Sequence, residues 1–217
     1  MSKTITITGN GSLKASPDLI LLQLDIETEE KDYASCLEKA TEKNNKLSHS
    51  IQNIGISKKE IKTANFSINP EYESYRDEND NWHERFKGYR CFQTLKISLD
   101  LNFEFLGKII NEIALSEVNP RLGISFSMRD VSTLKDELLL RAAASARHNA
   151  ELLCQATDKK LGEIININFS EVTVNFVSDT SFMNREAVSM KAMAASLDIT
   201  PEDIEIEENV NFTWELI

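Results

Sequence analysis

The chain has 217 residues, with 24 Lys+Arg against 35 Asp+Glu for a formal charge of −11, and holds only 7 Gly, 4 Pro and 3 Cys. At 41% hydrophobic and 27% charged it is too apolar for a disordered chain, too poor in Gly and Pro for a collagenous or low-complexity one, and too poor in Cys for a disulfide scaffold. Its most apolar stretch, Leu19-Ile20-Leu21-Leu22-Gln23-Leu24, is broken by a glutamine and then by Asp25, well short of the roughly 18 residues of a membrane span.

The acidic balance argues against nucleic acid, because phosphate binding needs a cationic stripe that releases counterions. The same deficit disfavours an anionic membrane surface. Lys58-Lys59 and Lys159-Lys160, the adjacent lysine pairs, fall beside predicted helix–strand junctions and read as solvated residues near helix ends. The N-terminus, Met1-Ser2-Lys3-Thr4-Ile5-Thr6-Ile7-Thr8, has no apolar h-region. As written it predicts a cytoplasmic protein, with the envelope or periplasm expected only if a leader has been removed. Cys36, Cys91 and Cys154 are odd in number, widely spaced and without a C-x-x-C pair, so they read as reduced thiols packed as small hydrophobes.

In chain order, Ile5 and Ile7 alternate with threonines as a short half-buried strand, and Gly9-Asn10-Gly11-Ser12 reads as a turn. Ile20, Leu22, Leu24 and Ile26 alternate with polar residues in a strand with one wet face. Tyr33, Leu37, Ala40, Leu47, Ile51 and Ile54 then recur at steps of three and four, an amphipathic helix of about six turns closing at Gly55. Asn44 interrupts its apolar stripe and is expected at the solvent edge. Ile61 to Tyr75 reads as a strand, and Tyr89, Cys91, Leu95, Ile97, Leu99 and Leu101 line one face of its return strand. The polar run Arg76–Glu84 between them forms the tip of a long projecting hairpin.

The second half continues with a short helix from Phe103 to Leu115, a strand at Leu122–Met128 and a long alanine-rich helix from Leu134 to Ala156. Ile165, Ile167 and Phe169 keep strand phase, which shifts by one at Val172, Val174 and Phe176, the sign of a bulge or bend. Ser178 to Thr200 is a long connection in which Met183, Met190 and Met193 have helical spacing, predicting a short helix that fills gaps on the core. The last strand alternates cleanly, with Ile204, Ile206, Val210, Phe212, Trp214 and Leu216 inward. Hairpins outnumber crossovers, so the predicted fold is α+β: a mainly antiparallel sheet with two long helices on one face and a projecting hairpin over about 62–101. No composition break divides the chain, and residues 1–217 are expected to form a single domain.

Reactive motifs are scarce. Gly9-Asn10-Gly11-Ser12 lacks the third glycine and the following helix of a dinucleotide loop. Asp77-Glu78-Asn79-Asp80-Asn81 begins like a calcium loop, but Trp82 replaces the needed glycine and Gly88 the bidentate glutamate, so a hydrated tip is expected. His49, His83 and His148 have no zinc-type spacing, and there is no G-x-S-x-G elbow. No catalytic, cofactor-binding or metal-ligating residue is assigned, and no cofactor is expected.

Several segments resemble the SIMPL-domain family: Ile5–Ser12 with Pro17-Asp18, Gly55-Ile56, Ile61–Tyr72, Gly88-Tyr89-Arg90, Gly123–Phe126, Ala146–Glu151 and Lys160–Ile164. The resemblance implies an α+β fold with two long helices on an antiparallel sheet and, in some members, assembly into large homo-oligomers. It also implies export to the periplasm or envelope for many members, and links to stress protection for some. The expectation is therefore a non-enzymatic, self-associating assembly or interaction protein, with Tyr72, Tyr75, Trp82 and Phe86 near the hairpin tip as contact surface. The alternative is a small-molecule or peptide binding module that uses the variable 178–200 connection.

Overall fold

The structure, a computed structural model, describes residues 3–169, 176–184 and 199–217. Its elements are β1 (Thr4–Ala15), β2 (Leu19–Glu30), α1 (Tyr33–Asn53), β3 (Lys62–Arg76), β4 (Trp82–Asp100), α2 (Phe103–Leu115), β5 (Arg121–Ser127), α3 (Val131–Ala156), β6 (Leu161–Asn168), β7 (Val177–Asn184) and β8 (Ile204–Leu216). The class is α+β, as expected, but the strands divide into two antiparallel sheets. The chain forms two compact units: Met1–Asp18, Ser127–Asp179 and Pro201–Ile217 in the first, Leu19–Phe126 and Thr180–Thr200 in the second.

The first unit holds a sheet of order β1-β8-β6 with α3 against it. β1 and β8 pair antiparallel without a slip from Thr4↔Glu215 to Ala15↔Ile204. Inward residues of β8 (Ile204, Ile206, Val210, Phe212, Trp214) are buried, and Ala142, Ala146 and Ala150 of α3 close over Val210, Phe212 and Trp214. The outer face carries a side-chain ladder: Thr6 to Thr213, Thr8 to Asn211 and Asn10 to Asn209 at 3.0, 2.6 and 3.2 Å.

The Gly9–Ser12 segment is not a turn. β1 runs straight through it, and both glycines face α3. A Cβ on Gly9 would land on the Ala142 carbonyl oxygen, and one on Gly11 on that of Leu138. Glycine serves here to let a helix backbone meet a strand backbone, which sequence patterning cannot distinguish from the need for a turn. α3 starts three residues earlier than predicted, where the Asp130 side chain caps it by accepting from the Thr133 N–H at 3.1 Å.

The second unit contains most of the core. β2 and β4 pair antiparallel from Leu19↔Asp100 to Glu30↔Tyr89, and β3 pairs with β4 as the long hairpin. Ile20, Leu22, Leu24 and Ile26 of β2, Leu95, Ile97 and Leu99 of β4, and Leu106, Ile109, Ile110 and Ile113 of α2 bury together with Leu47 and Ile51 of α1. The helix α1 ends as expected, with Gly55 at φ +101° donating to the Gln52 carbonyl at 3.0 Å. Its buried stripe is Cys36, Ala40, Leu47 and Ile51, whereas Tyr33 and Leu37 stay exposed. Asn44, half-buried, lies at the edge of that stripe, and its Oδ1 accepts from the buried Gln93 amide at 3.1 Å. Leu101 is exposed, because β4 ends at Asp100 and Asn102 caps α2.

Ser178 to Asn184 belongs to a strand, β7, where a connection with helical spacing is expected. The phase shift at Val172 and Val174 and the methionine spacing at Met190 and Met193 lie outside the described residues.

The glycine contact yields a direct test. Gly11→Val should destabilise the protein by at least about 2 kcal/mol, because the added side chain meets rigid backbone. Ser12→Val, one residue on and pointing to solvent, should change stability by no more than about 0.5 kcal/mol. Urea unfolding of both variants checks this; equal midpoints would show that β1 and α3 do not touch as described.

Candidate functional site

The β3–β4 ribbon stays paired to Arg76↔Trp82, with register shifts at Thr63/Asn65 and Glu71/Tyr72, and turns through residues 77–81. Asp77 organises that turn. Its Oδ1 accepts the Asn79 and Asn81 N–H groups, each at 2.9 Å, and its Oδ2 lies 2.8 Å from His83 Nε2. Asp80 closes the turn at φ +65°, a left-handed conformation that aspartate tolerates. The calcium-like spacing is thus used for a hydrogen-bonded turn in which the leading carboxylate is already engaged.

Beyond the turn both ribbon faces carry exposed aromatic rings. Tyr72 packs edge-on to Phe86 at 5.8 Å, Phe86 to Tyr89 at 5.3 Å, and Tyr89 to Tyr33 of α1 at 5.6 Å, a continuous line of rings. Arg76 sits over the Trp82 ring at 4.7 Å, and on the opposite face Arg85 lies 5.3 Å from the Tyr75 ring. Trp82 is 65% exposed and Tyr72 57%. All four tip aromatics named from the sequence are exposed together; the contribution of Tyr33 was hidden by its distance along the chain, and that of Tyr89 by its place on the inward face of the strand. A β-bulge between Glu71 and Tyr72 opposite Gly88 and Phe86 leaves Lys87 unpaired in the ladder and separates these rings from a charged base. There Arg90 reaches Glu27 at 3.1 Å, Glu29 at 2.8 Å and also Glu71, while Lys87 reaches Glu29 at 3.0 Å. The Lys87 ammonium draws the Glu29 carboxyl below its ordinary range, against the opposing effect of its partial burial and with further help from Arg90.

A second surface lies in the first unit. α3 does not cover β6, whose inward residues Ile164 and Ile167 are each 53% exposed. Between them and α3 runs a groove of about 500 Å³ walled by Leu139, Leu140, Ile167 and Phe169 over Val210 and Phe212. A neighbouring hollow of about 440 Å³ shares Ala143 and Phe212 with it and extends to Trp214, Arg147 and Glu151. Sequence alternation marked β6 as a strand but could not show that α3 stops short of its apolar side.

His49, His83 and His148 are all exposed, on α1, at the hairpin tip and on α3 respectively. Among the described residues no three His, Cys, Asp or Glu side chains converge as a metal site would require. No described helix is long and apolar enough to cross a membrane.

The turn has a pH signature. The Asn81 N–H and then His83 hold the Asp77 carboxyl below its ordinary 3.8. A depressed carboxyl contributes stability in full above its unfolded value and loses it as pH falls through the lowered folded value. The Asn81 and Asn79 amide resonances should therefore shift below about pH 4 as the turn loosens. In Asp77→Asn the same resonances should be displaced already at neutral pH and stay flat on acidification. Identical titrations in the two proteins would remove Asp77 from this role.

Among known proteins, the chain is 25% identical over 165 residues to Uncharacterized protein YggE of Escherichia coli K12, covering 76% of this chain and 65% of that one. It is 26% identical over 164 residues to the 26 kDa periplasmic immunogenic protein of Brucella melitensis biotype 1, with the same coverage. The match thus spans just under two thirds of the length of these relatives. The cytoplasmic placement expected from the N-terminus finds no support among them, and the Brucella protein's name agrees with the envelope alternative. The model of the SIMPL family, described as a protein of unknown function (DUF541), matches residues 5–214, and the chain belongs to that family.

Proposed function

We propose that this is a non-enzymatic assembly protein of the cell envelope that associates with copies of itself through the β3–β4 ribbon. The observation that carries the reading is the line of rings in which Tyr72, Phe86 and Tyr33 are exposed and the half-buried Tyr89 links the last two, with Trp82 and Tyr75 exposed at the tip. Large aromatic side chains with arginines beside them are the residues that contribute most to protein–protein interfaces. An exposed two-stranded ribbon is also marginal in water, so burial of these rings in an assembly would stabilise it. The periplasmic name of the Brucella relative supports the envelope placement, and a role in stress protection would follow from assembly in that compartment.

Light scattering tests this directly. The chain at tens of micromolar should have a mass several times that of one protomer, and deleting Asp77–Glu84 should return it to one. Trp82→Ala together with Tyr72→Ala should weaken association by roughly 30-fold or more if these rings are central. A strict monomer that the deletion leaves unchanged would sink the proposal.

A second reading, a binding module for apolar molecules, rests on the α3–β6 groove rather than on the 178–200 connection. Its volume lies in the range of small-ligand sites, and its walls are aliphatic and aromatic. An environment-sensitive apolar dye should then fluoresce on the protein, and Ala143→Arg, which intrudes on both hollows, should abolish the signal. Unaltered dye binding by that variant would place the site elsewhere.

A further inference from the structure

Two of the three cysteines, far apart in the chain, meet in the second unit. Cys36 lies in the second turn of α1 and Cys91 in β4, and with Ala40 they form one buried cluster, 0% and 1% exposed. Their register is close. Cys91 pairs with Thr28 across the β2–β4 ladder, and the Cys36 Sγ lies 3.5 Å from the Thr28 carbonyl oxygen and 3.5 Å from that of Tyr89. The helix thiol is therefore seated over the stretch of ladder that carries the strand thiol. Ala40 lies beside them, Ile68 and Tyr89 pack against the cluster, and the Thr28 hydroxyl, buried at the same rung, has no hydrogen-bond partner among the described residues. Cys154 is the sole cysteine of the other unit, on α3.

We propose that Cys36 and Cys91 form an intramolecular disulfide, joining α1 to β4, when the chain folds in the presence of a disulfide oxidant. The reaction is thiol–disulfide exchange with a reagent R–S–S–R. One cysteine thiolate attacks the reagent, its S–S bond breaks and one R–SH leaves, giving a mixed disulfide on the protein. The second cysteine thiolate then attacks the protein sulfur of that mixed disulfide and releases the second R–SH. Two electrons pass to the reagent, and the two thiol protons end on the released R–SH molecules. Burial, and next the neighbouring Cys36, push the Cys91 thiol above its ordinary range, partly offset by Lys43. Exchange thus proceeds more readily during folding, or on opening of the first turns of α1, than in the closed native state. The bond would close a loop of 55 residues (91 − 36), long enough to restrict the unfolded chain substantially. All three cysteines are free and buried in the structure, as their spacing in the sequence led us to expect; a pairing across 55 positions leaves no local pattern from which the proposed bond could be read.

The test is to unfold the reduced full-length chain and refold it in a reduced/oxidised glutathione buffer, then trap free thiols with iodoacetamide under denaturing conditions. The expected product is monomeric in its covalent links, about 2 Da lighter before alkylation, and carries a single alkylated cysteine, Cys154. Peptide mapping should join Cys36 to Cys91, and the oxidised protein should melt several degrees above the reduced one. Cys154→Ser should oxidise identically, while Cys36→Ser and Cys91→Ser should each keep both remaining thiols free. Three free thiols after refolding to the native circular dichroism spectrum, stable mixed disulfides with glutathione, or a link involving Cys154 would each overturn the proposal. A native spectrum in Cys36→Ser separates loss of the bond from loss of the fold.

Discussion

A helix about 10 Å across can cover little more than two strands spaced roughly 4.8 Å apart, so where it is seated decides what the sheet leaves open. In the first unit that seat is fixed by Gly9 and Gly11, which let α3 lie backbone-to-backbone on β1 at Ala142 and Leu138. The alanines at Ala142, Ala146 and Ala150 then close over β8, where Val210, Phe212 and Trp214 are 3, 7 and 4% exposed. Of β6, only Leu161 at its start packs against the α3 alanines. Its inward Ile164 and Ile167, opposite Trp214 and Phe212 in register, stay more than half exposed. The groove is thus a consequence of the close approach at the far edge of the same sheet. Larger residues at positions 9 and 11 would force the helix outward and alter the groove without touching its walls.

The second unit shows the same limit along the strand direction. β4 is 19 residues long, but α1 and α2 cover only the part from Cys91 to Leu99. Beyond Gly88 none of the described elements is layered on the ribbon, and its cohesion comes from cross-strand pairs: Tyr72 with Phe86, Glu73 with Arg85 at 2.5 Å, Tyr75 beside His83. Exposed ion pairs of this kind contribute little individually. Rings that pack only on their neighbours retain an outer face with nothing against it. The surface proposed for assembly and the weak point of the fold are therefore the same segment.

Much of this was legible from alternation alone. The inward faces of β2, β4 and β8, the helical stripes and the Gly55 stop follow directly from periods of 2 and 3.6, and the structure departs from them at single residues such as Leu37 and Leu101. What was hidden involves two elements at once. Gly9-Asn10-Gly11 has turn composition, and only the approach of α3 explains it as strand. Asn44 looks like an error in an apolar stripe until Gln93, equally out of place in β4, is set opposite to it. Gln93 is the buried member, and its amide donates to the half-buried Asn44. The division of the strands into two sheets is likewise invisible, because the partner of the first strand is the last one, some 200 residues away. For the candidate site, the tip aromatics could be named because they sit within one polar run. The groove could not, since it depends on where a helix stops rather than on any residue type.

The carboxylates are used mainly to hold local structure. Among the described residues, the carboxyls displaced from their ordinary range all move down. Asp32 and Asp130 are lowered by the Ser35 and Thr133 groups they cap, Glu104 and Glu117 by Lys108 and Lys46, and Asp77 by the turn it closes. Those are carboxylates held in their charged form by the structure they stabilise. An acidic chain that spends its negative charge on helix caps, turns and ribbon pairs keeps its net repulsion at the remaining unpaired carboxylates. The uncharged rings along the ribbon are then where two copies can approach with the least electrostatic opposition.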